Sequence, residues 1–447
     1  CKKYPEVGIT VPVDSKGILT EAAGKYQGLK TDAANKVIAK DLEESGALFA
    51  LEKIVHQYPH CWRCKNPVLF RATEQWFCSV KDFKAETVKA ISDVQWIPEW
   101  GEDRIKGMVN DRSDWCISRQ RTWGVPIPVV YCKDCGKPVV TDETVKAVSD
   151  MFRKEGSDSW FIKDVKDIIP AGTKCECGCT EFVKEKDIFD VWFDSGVSHR
   201  AVMKERGFDV PVDLYLEGAD QYRGWFQSSL LTAVGATGKG APYRQVLTHG
   251  WVVDGEGKAM HKSLGNSVYP EDVIKVYGAD LLRLWVASSD YRVDVRVSDD
   301  IFKQLSEIYR KIRNTTRILL ANLGNPAEDF DPVKDCVPFE QMEEIDKWIV
   351  AKFNDLVKRV KDAYNSYEFH LIYHDMHNFC AIELSKLYID ISKDRVYVQS
   401  KNSPLRRSAQ TAMYYILSGF TRLIAPILSF TAEEIWQFMP HTANDNA

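Results

Sequence analysis

A chain of 447 residues, 45% of them hydrophobic, is long enough for roughly two to four domains with cores of their own. Its net charge of −5 excludes a uniformly basic nucleic-acid binder but not local basic faces, because binding depends on where charge clusters. With no run of about 18 apolar residues and no signal segment, the sequence reads as a soluble, cytoplasmic protein with no membrane partner.

The first residues, "CKKYPEVGITVPVD", read as mid-domain sequence, so the chain is expected to be a fragment of something longer. Residues 1–56 alternate short strand-like runs with a helix, "TDAANKVIAKDLEESGAL", expected to be capped by Thr31 or Asp32. Residues 57–130 are rich in tryptophan, arginine and proline, and the polar stretch 131–185 is bracketed by cysteine pairs. From 186 to 295 strand and helix signals alternate: "IFDVWFD" and "DLYLEG" as strands, "GWFQSSLLTAVGAT" as a helix. The strand "QVLTHGWVVD" and the helix "PEDVIKVYGADLLRLWVAS" follow, with Pro270, Glu271 and Asp272 suited to that helix's first turn. This alternation predicts an α/β fold with a parallel, doubly wound sheet, which binds nucleotides at the carboxyl ends of its strands. A connection follows at 296–345, and 346–447 carries apolar residues at helical spacing, as in an all-α bundle. Lys386, Lys393, Arg395, Arg406 and Arg407 there are mostly solvated charge, with a phosphate-tracking stripe as the minor alternative.

Seven of the twelve cysteines are clustered: Cys61 and Cys64, Cys132 and Cys135, and Cys175, Cys177 and Cys179. In a chain of this size without export signals, such spacing points to zinc before disulfide. Zinc takes four thiolates in a tetrahedron, and each short knuckle presents two. Cys132 and Cys135 are therefore expected to pair with Cys175 and Cys177, with Cys179 an alternative to one of the last two. Cys61 and Cys64 have the same spacing and no second pair in the chain; they are plain thiols, or half of a site whose partners lie outside this sequence.

The motifs "YPHCWRCKNPVLFRATEQWF", "DWCISRQRTWGVPIPV", "DVWFDSG", "YLEGADQYRGWFQSSLL", "APYRQVLTHGWVVDGEGKAMHKSLGN" and "GADLLRLWVASSDY" occur in order along nearly the whole chain. Together they resemble the class I aminoacyl-tRNA synthetases, and the isoleucyl branch in particular. The resemblance implies a Rossmann-like catalytic half followed by an anticodon-binding bundle. It implies activation of isoleucine with ATP and Mg2+, transfer to tRNA(Ile), and action as a monomer. "AMHKS" at 259–263 is similar to the family's KMSKS loop, which places Lys262 on the ATP phosphates, with Ser263 as a hydroxyl donor. Ala259 and His261 depart from that pattern, and Lys258 is displaced by one position from the family's first lysine. By the same resemblance Glu217, Asp220 and Gln221 line the adenylate site, and Trp192 and Trp225 wall the isoleucine pocket. His249 lies near ATP or serves as a structural histidine. One missing methylene is worth about 1–3 kcal/mol, a magnitude established for isoleucine against valine rather than deduced from these residues, so the family proofreads valine at an inserted editing domain. Residues 1–56 resemble the end of that domain. None of the nine histidines forms the family's H-x-G-H motif, so the chain alone is expected not to charge tRNA. The alternatives are a catalytically inactive tRNA-binding or zinc-ribbon module, or a paralogue that kept the fold and lost the chemistry.

Overall fold

The computed structural model describes residues 6, 8–61, 64–261, 264–324 and 329–442. The chain forms two compact units. One comprises residues 82–112 and 192–447; the other comprises residues 1–81 and 113–191.

The larger unit begins with a three-stranded parallel sheet of β1 (Gln95–Ile97), β2 (Val212–Gly218) and β3 (Tyr243–His249), with β3 in the middle. Three helices accompany it: α1 (Lys84–Ser92), α2 (Trp100–Asn110) and α3 (Trp225–Thr237). The β2–α3–β3 segment is a crossover between parallel neighbours, the unit from which α/β sheets are built. Trp96, Tyr215, Tyr243 and Val246 from the strands bury against Ile91, Ile105, Phe226 and Leu230 from the helices. Burying each such side chain contributes about 1.5–3 kcal/mol, so this apolar layer fixes where the strand ends point.

Three sequence expectations meet a local correction. "QVLTHGWVVD" is not one strand: β3 ends at His249, and Val252–Val253 (β4) pairs instead with Val295–Arg296 (β5). The long helix after Pro270 is two, α4 (Pro270–Tyr277) and α5 (Ala279–Ser288), broken at Gly278 by a φ of 84° that favours glycine. "IFDVWFD" holds only a two-residue strand, Ile188–Phe189, before the chain turns into the short helix Val191–Gly196.

The remaining helices are α6 (Asp299–Leu323), α7 (Glu344–Asn365), α8 (Phe369–Asn378), α9 (Ile389–Tyr397), α10 (Pro404–Ile424) and α11 (Ser429–Phe438). Phe379–Tyr388 winds as a π-helix between α8 and α9. Leu319, Ile349, Leu356, Met413, Leu417 and Phe420 are among the side chains filling the bundle core. Asp346, fully buried, receives two hydrogen bonds from Arg395 at 2.7 and 2.9 Å, with Tyr388 and Ser408 hydroxyls at 2.6 and 2.5 Å. Arg407 is likewise turned inward, toward Asp335, Gln410 and the Asp329 carbonyl. Two of the five charges considered for a surface stripe are thus interior. Asp280 of α5 accepts from Thr431 N at 2.7 Å and Phe430 N at 3.3 Å, satisfying the amino end of α11.

In the other unit, a helix runs Thr31–Glu44 with Lys30 at its cap position, so neither Thr31 nor Asp32 caps it. A three-stranded antiparallel sheet is formed by Pro138–Val139, Val130–Cys132 and Phe182–Lys184, with Val130–Cys132 in the middle. The helix Asp142–Glu155 starts at a reciprocal cap between Thr141 and Thr144. It lays Val148 and Met151 over the sheet beside Trp160, Ile168 and Phe182.

Candidate functional site

Glu217 and His249 stand one residue apart in register at the carboxyl ends of β2 and β3, because Thr248 lies opposite Glu217 and His249 opposite Gly218. Their side chains approach to 3.8 Å (His249 Nε2 to Glu217 Oε1), both partly open to solvent. Glu217 Oε1 also accepts the Gly218 N–H at 3.0 Å, and His249 Nδ1 lies 2.8 Å from Gly250 O. With Nδ1 donating to that carbonyl, Nε2 is left as the acceptor-capable nitrogen facing the strand ends.

Gly218 leads into the 3-10 turn Ala219–Arg223, which carries Asp220 and Gln221. Gln221 Nε2 donates to Asp220 Oδ2 at 3.1 Å, while Gln221 Oε1 accepts the Trp225 N–H at 2.9 Å at the head of α3. The Trp225 ring stacks on Tyr215 with centroids 3.9 Å apart. Its Nε1 donates to Ser195 O at 3.1 Å and Ser198 Oγ at 3.0 Å. Trp192 lies across Gly224, where an added Cβ would sit 2.8 Å from Trp192 Cζ3 and 2.6 Å from Gln221 Oε1. The structure therefore brings Glu217, Asp220, Gln221, His249, Trp192 and Trp225 to the carboxyl end of the parallel sheet. A carboxylate there can hold an ammonium, two indole faces can border an apolar group, and an imidazole can meet a polar one. Lys262 and Ser263 lie outside the described residues; the neighbouring Asp254, Ala259, His261 and Asn266 are hydrogen-bonded to one another. Sequence alone singles out neither Gly224 nor Asp254; the only signals were a glycine beside a tryptophan and an acid closing a strand.

The second constellation is sulfur. The Sγ atoms of Cys132, Cys135, Cys175 and Cys177 all lie within 4.8 Å of one another, with Cys132–Cys177 and Cys135–Cys175 each at 3.5 Å. A tetrahedral ion with Zn–S bonds of about 2.3 Å needs sulfurs about 3.8 Å apart, so the quartet fits. Two chain turns build it. Gly136 N donates to Cys132 O at 3.0 Å, and Gly178 N donates to Cys175 O at 2.8 Å. Backbone N–H groups of Cys135 and Asp134 outweigh burial and pull the Cys132 thiol down to about 6. The Cys179 N–H favours the Cys177 thiolate, but the Cys132 side chain, burial and the other thiols outweigh it and push that thiol to about 12. Four thiolates this close cannot all ionise without a cation among them. Cys179 turns away, accepting the Glu181 N–H at 3.3 Å. Cys61 and Cys64 occupy a turn in which Lys65 N donates to Cys61 O at 2.8 Å, and they join no metal-ligand cluster among the described residues.

Residues 13–298 match the family model "tRNA synthetases class I (I, L, M and V)", and 346–447 match "Anticodon-binding domain of tRNA ligase". Over 439 residues the chain is 60% identical to the isoleucine--tRNA ligase of Caldicellulosiruptor saccharolyticus, covering 98% of this chain and 47% of that one. The Moorella thermoacetica isoleucine--tRNA ligase is 57% identical over 431 residues, 96% of this chain and 46% of that one. The chain thus spans about half the length of the curated relatives it matches. In fold it is similar to a Mycobacterium tuberculosis methionyl-tRNA synthetase bound to methionyl-adenylate, with TM-score 0.59, 16% identity, and coverage of 86% of this chain and 66% of that one. It is also similar to the LeuRS–tRNA–LeuAMS complex of Agrobacterium radiobacter K84, with TM-score 0.53, 19% identity, and coverage of 75% and 42%. With a parallel sheet carrying its polar cluster at the strand ends and a helical domain behind it in sequence, the chain belongs to the class I tRNA synthetases of the I, L, M and V group.

Proposed function

We propose that the chain carries part of the active site of an isoleucine--tRNA ligase, which joins isoleucine to ATP as an adenylate and passes it to tRNA(Ile). The observation that carries this reading is the convergence of Glu217, Asp220, Gln221, His249, Trp192 and Trp225 at the carboxyl ends of parallel strands, in a chain so similar to isoleucine--tRNA ligases. Glu217 takes the substrate ammonium, and Trp192 and Trp225 border the branched side chain. Asp220 and Gln221 hold the 3-10 turn that sets the spacing between carboxylate and indoles. The isoleucine carboxylate attacks the α-phosphorus of ATP and pyrophosphate leaves; Lys262, with Ser263 beside it, stabilises the growing charge. His249 meets the nucleotide from the end of β3. Mg2+ accompanies the phosphates. Transfer then forms an ester on a terminal hydroxyl of tRNA and releases AMP. The helical domain 346–447 takes the anticodon end, and the protein acts as a monomer in the cytoplasm. Cys132, Cys135, Cys175 and Cys177 would hold Zn2+, which when bound cross-links the two knuckles. Cys61 and Cys64 form half of a second site, and residues 1–56 end an editing domain that removes valine.

Isoleucine-dependent ATP–pyrophosphate exchange tests the reading on the protein as its gene encodes it. Exchange with isoleucine, a fall of about 100-fold or more in Lys262→Ala, and unchanged tRNA binding in that variant are expected. No exchange together with ATP-insensitive tRNA binding would favour a binding module instead. The isolated 447 residues are expected to give no exchange, lacking H-x-G-H; robust exchange from them overturns that part.

A further inference from the structure

The indole of Trp225 is held by two independent restraints. Its ring lies flat on Tyr215, with centroids 3.9 Å apart and planes 13° from parallel, which fixes its tilt. Its Nε1 donates to Ser195 O at 3.1 Å and to Ser198 Oγ at 3.0 Å, which fixes its rotation within that plane. Each restraint is itself anchored. Tyr215 is buried in the middle of β2, and its ring meets Tyr243 of β3 with centroids 4.7 Å apart. The Gly196 carbonyl, between the two serines, accepts the Thr232 hydroxyl of α3 at 2.8 Å and has His199 Nδ1 at 3.0 Å. Gly196 packs so closely on α3 that an added Cβ would stand 2.9 Å from Ser228 O. The short helix Val191–Gly196, which holds Ser195, also carries Trp192.

We propose that Ser198 and Tyr215 are positioning residues that set the gap between the Trp192 and Trp225 indoles, and that this gap governs discrimination between isoleucine and aliphatic side chains one methylene shorter. The proposal rests on the assignment of these two tryptophans to the isoleucine side chain. An indole free to tilt or spin closes onto a smaller side chain and recovers the lost contact, so a compliant wall blurs a size difference that a rigid wall reads. Here tilt and spin are fixed from two directions. The hydrogen bonds also join Trp225 to the segment that bears Trp192, so the two walls keep their spacing when either is pushed. Gln221 adds a tie at the backbone by accepting the Trp225 N–H at 2.9 Å. That tie fixes where the side chain starts but not how its ring is turned. Ser198 acts through its hydroxyl and Tyr215 through its ring face, both by way of Trp225.

The test pairs a view of the ring with kinetics. In fluorine NMR of fluorotryptophan-labelled protein, the Trp225 signal is assigned by its loss in Trp225→Phe, and its width reports ring motion whatever the protein's activity. A single sharp signal is expected in the wild type and a broadened or split one in Ser198→Ala, with the signals of tryptophans outside the pocket unmoved. In ATP–pyrophosphate exchange by the protein as its gene encodes it, Ser198→Ala is expected to lower the ratio of kcat/KM for isoleucine to that for valine about fivefold, with the KM for ATP unchanged. Tyr215→Leu, which removes the stacked face, is expected to lower that ratio about tenfold. Ser198→Thr, which keeps the hydroxyl, and Tyr215→Phe, which keeps the ring, recover most of each loss. Should Tyr215→Leu fail to fold, Ser198→Ala and its rescue by Ser198→Thr still decide. An unchanged Trp225 signal in Ser198→Ala sinks the lock. A broadened signal with an unaltered isoleucine-to-valine ratio, or an equal fall for both amino acids, sinks its role in specificity. Absence of isoleucine-dependent exchange in the wild type overturns the functional reading and the specificity role with it, while the fluorine spectra then still confirm or refute the lock.

Discussion

A side chain at Gly224 has nowhere to go. The Cβ of an alanine would sit 2.8 Å from the Trp192 ring and 2.6 Å from Gln221 Oε1, so one or both must shift. Gly224→Ala is expected to raise the KM for isoleucine about tenfold or more while leaving the KM for ATP close to wild type, because displaced walls of about 1 Å cost substrate positioning. Steady-state exchange kinetics check it; an equal effect on both substrates would count against the pocket. Asp346 sets a different constraint. Its carboxylate is fully buried, and Arg395, only 14% exposed, depends on it for charge compensation. Asp346→Ala is expected to destabilise the bundle by about 3–5 kcal/mol, since an unpaired guanidinium remains inside. Urea unfolding followed by circular dichroism measures this, and a loss under about 1 kcal/mol would show that water compensates Arg395 instead. Neither role is visible in the sequence. Gly224 reads as a glycine before a helix, and Arg395 as one of several solvated cations.

At the scale of elements, the knuckles and their small sheet share one apolar cluster, with Cys132 and Cys175 packed among Val130, Val148, Trp160 and Phe182. Trp160 is completely buried beneath them, with its Nε1 donating to Glu185 O at 3.0 Å. Trp160→Ala is expected to cost about 3–5 kcal/mol and to weaken metal retention, because the cavity loosens the layer that holds both cysteine pairs in register. Elemental analysis of the purified protein should find zinc, and chelation should lower the unfolding temperature of this piece. Cys177→Ser is expected to lower zinc retention, whereas Cys179→Ser leaves it unchanged, because Cys179 bonds the Glu181 N–H instead of joining the quartet. Equal loss in both variants would contradict that assignment. Cysteine spacing in the sequence was enough to nominate the quartet and left Cys177 against Cys179 open. Only the turn at Gly178, which brings Cys175 and Cys177 back together, separates them.

For the whole molecule, the periodicity of apolar residues already divides an α/β region from a helical one, and the chain does form a parallel sheet followed by a bundle. Long apolar runs are cut at residues that disfavour helix: Gly278, at positive φ, breaks the helix after Pro270, and Pro426, which has no N–H to donate, falls in the break between α10 and α11, where Arg283 binds the carbonyls of Pro426 and Ile427. The bundle is therefore anchored to α5 by Asp280 and Arg283, two polar side chains on a helix whose sequence reads mainly as apolar. Asp280→Ala is expected to fray the amino end of α11 and destabilise the protein by about 1–2 kcal/mol, measurable by amide exchange at Phe430 and Thr431. Unaltered exchange at those two amides would mean that water replaces the carboxylate at no cost.

The sequence by itself indicated an α/β region followed by helices and, from cysteine spacing, a metal-ligand cluster with its last member open between Cys177 and Cys179, because each depends on local spacing; Glu217, Asp220, Gln221, Trp192, Trp225 and His249 were named only through resemblance to a family. Tertiary structure alone decided which of these meet. Glu217 and His249 are 32 positions apart, and only parallel pairing of β2 with β3 brings their side chains to 3.8 Å. The same holds for Asp254 with Asn266 and for Asp346 with Arg395. Hydrogen-bond partners distant along the chain are selected by packing, and one chain's spacing does not encode that selection locally.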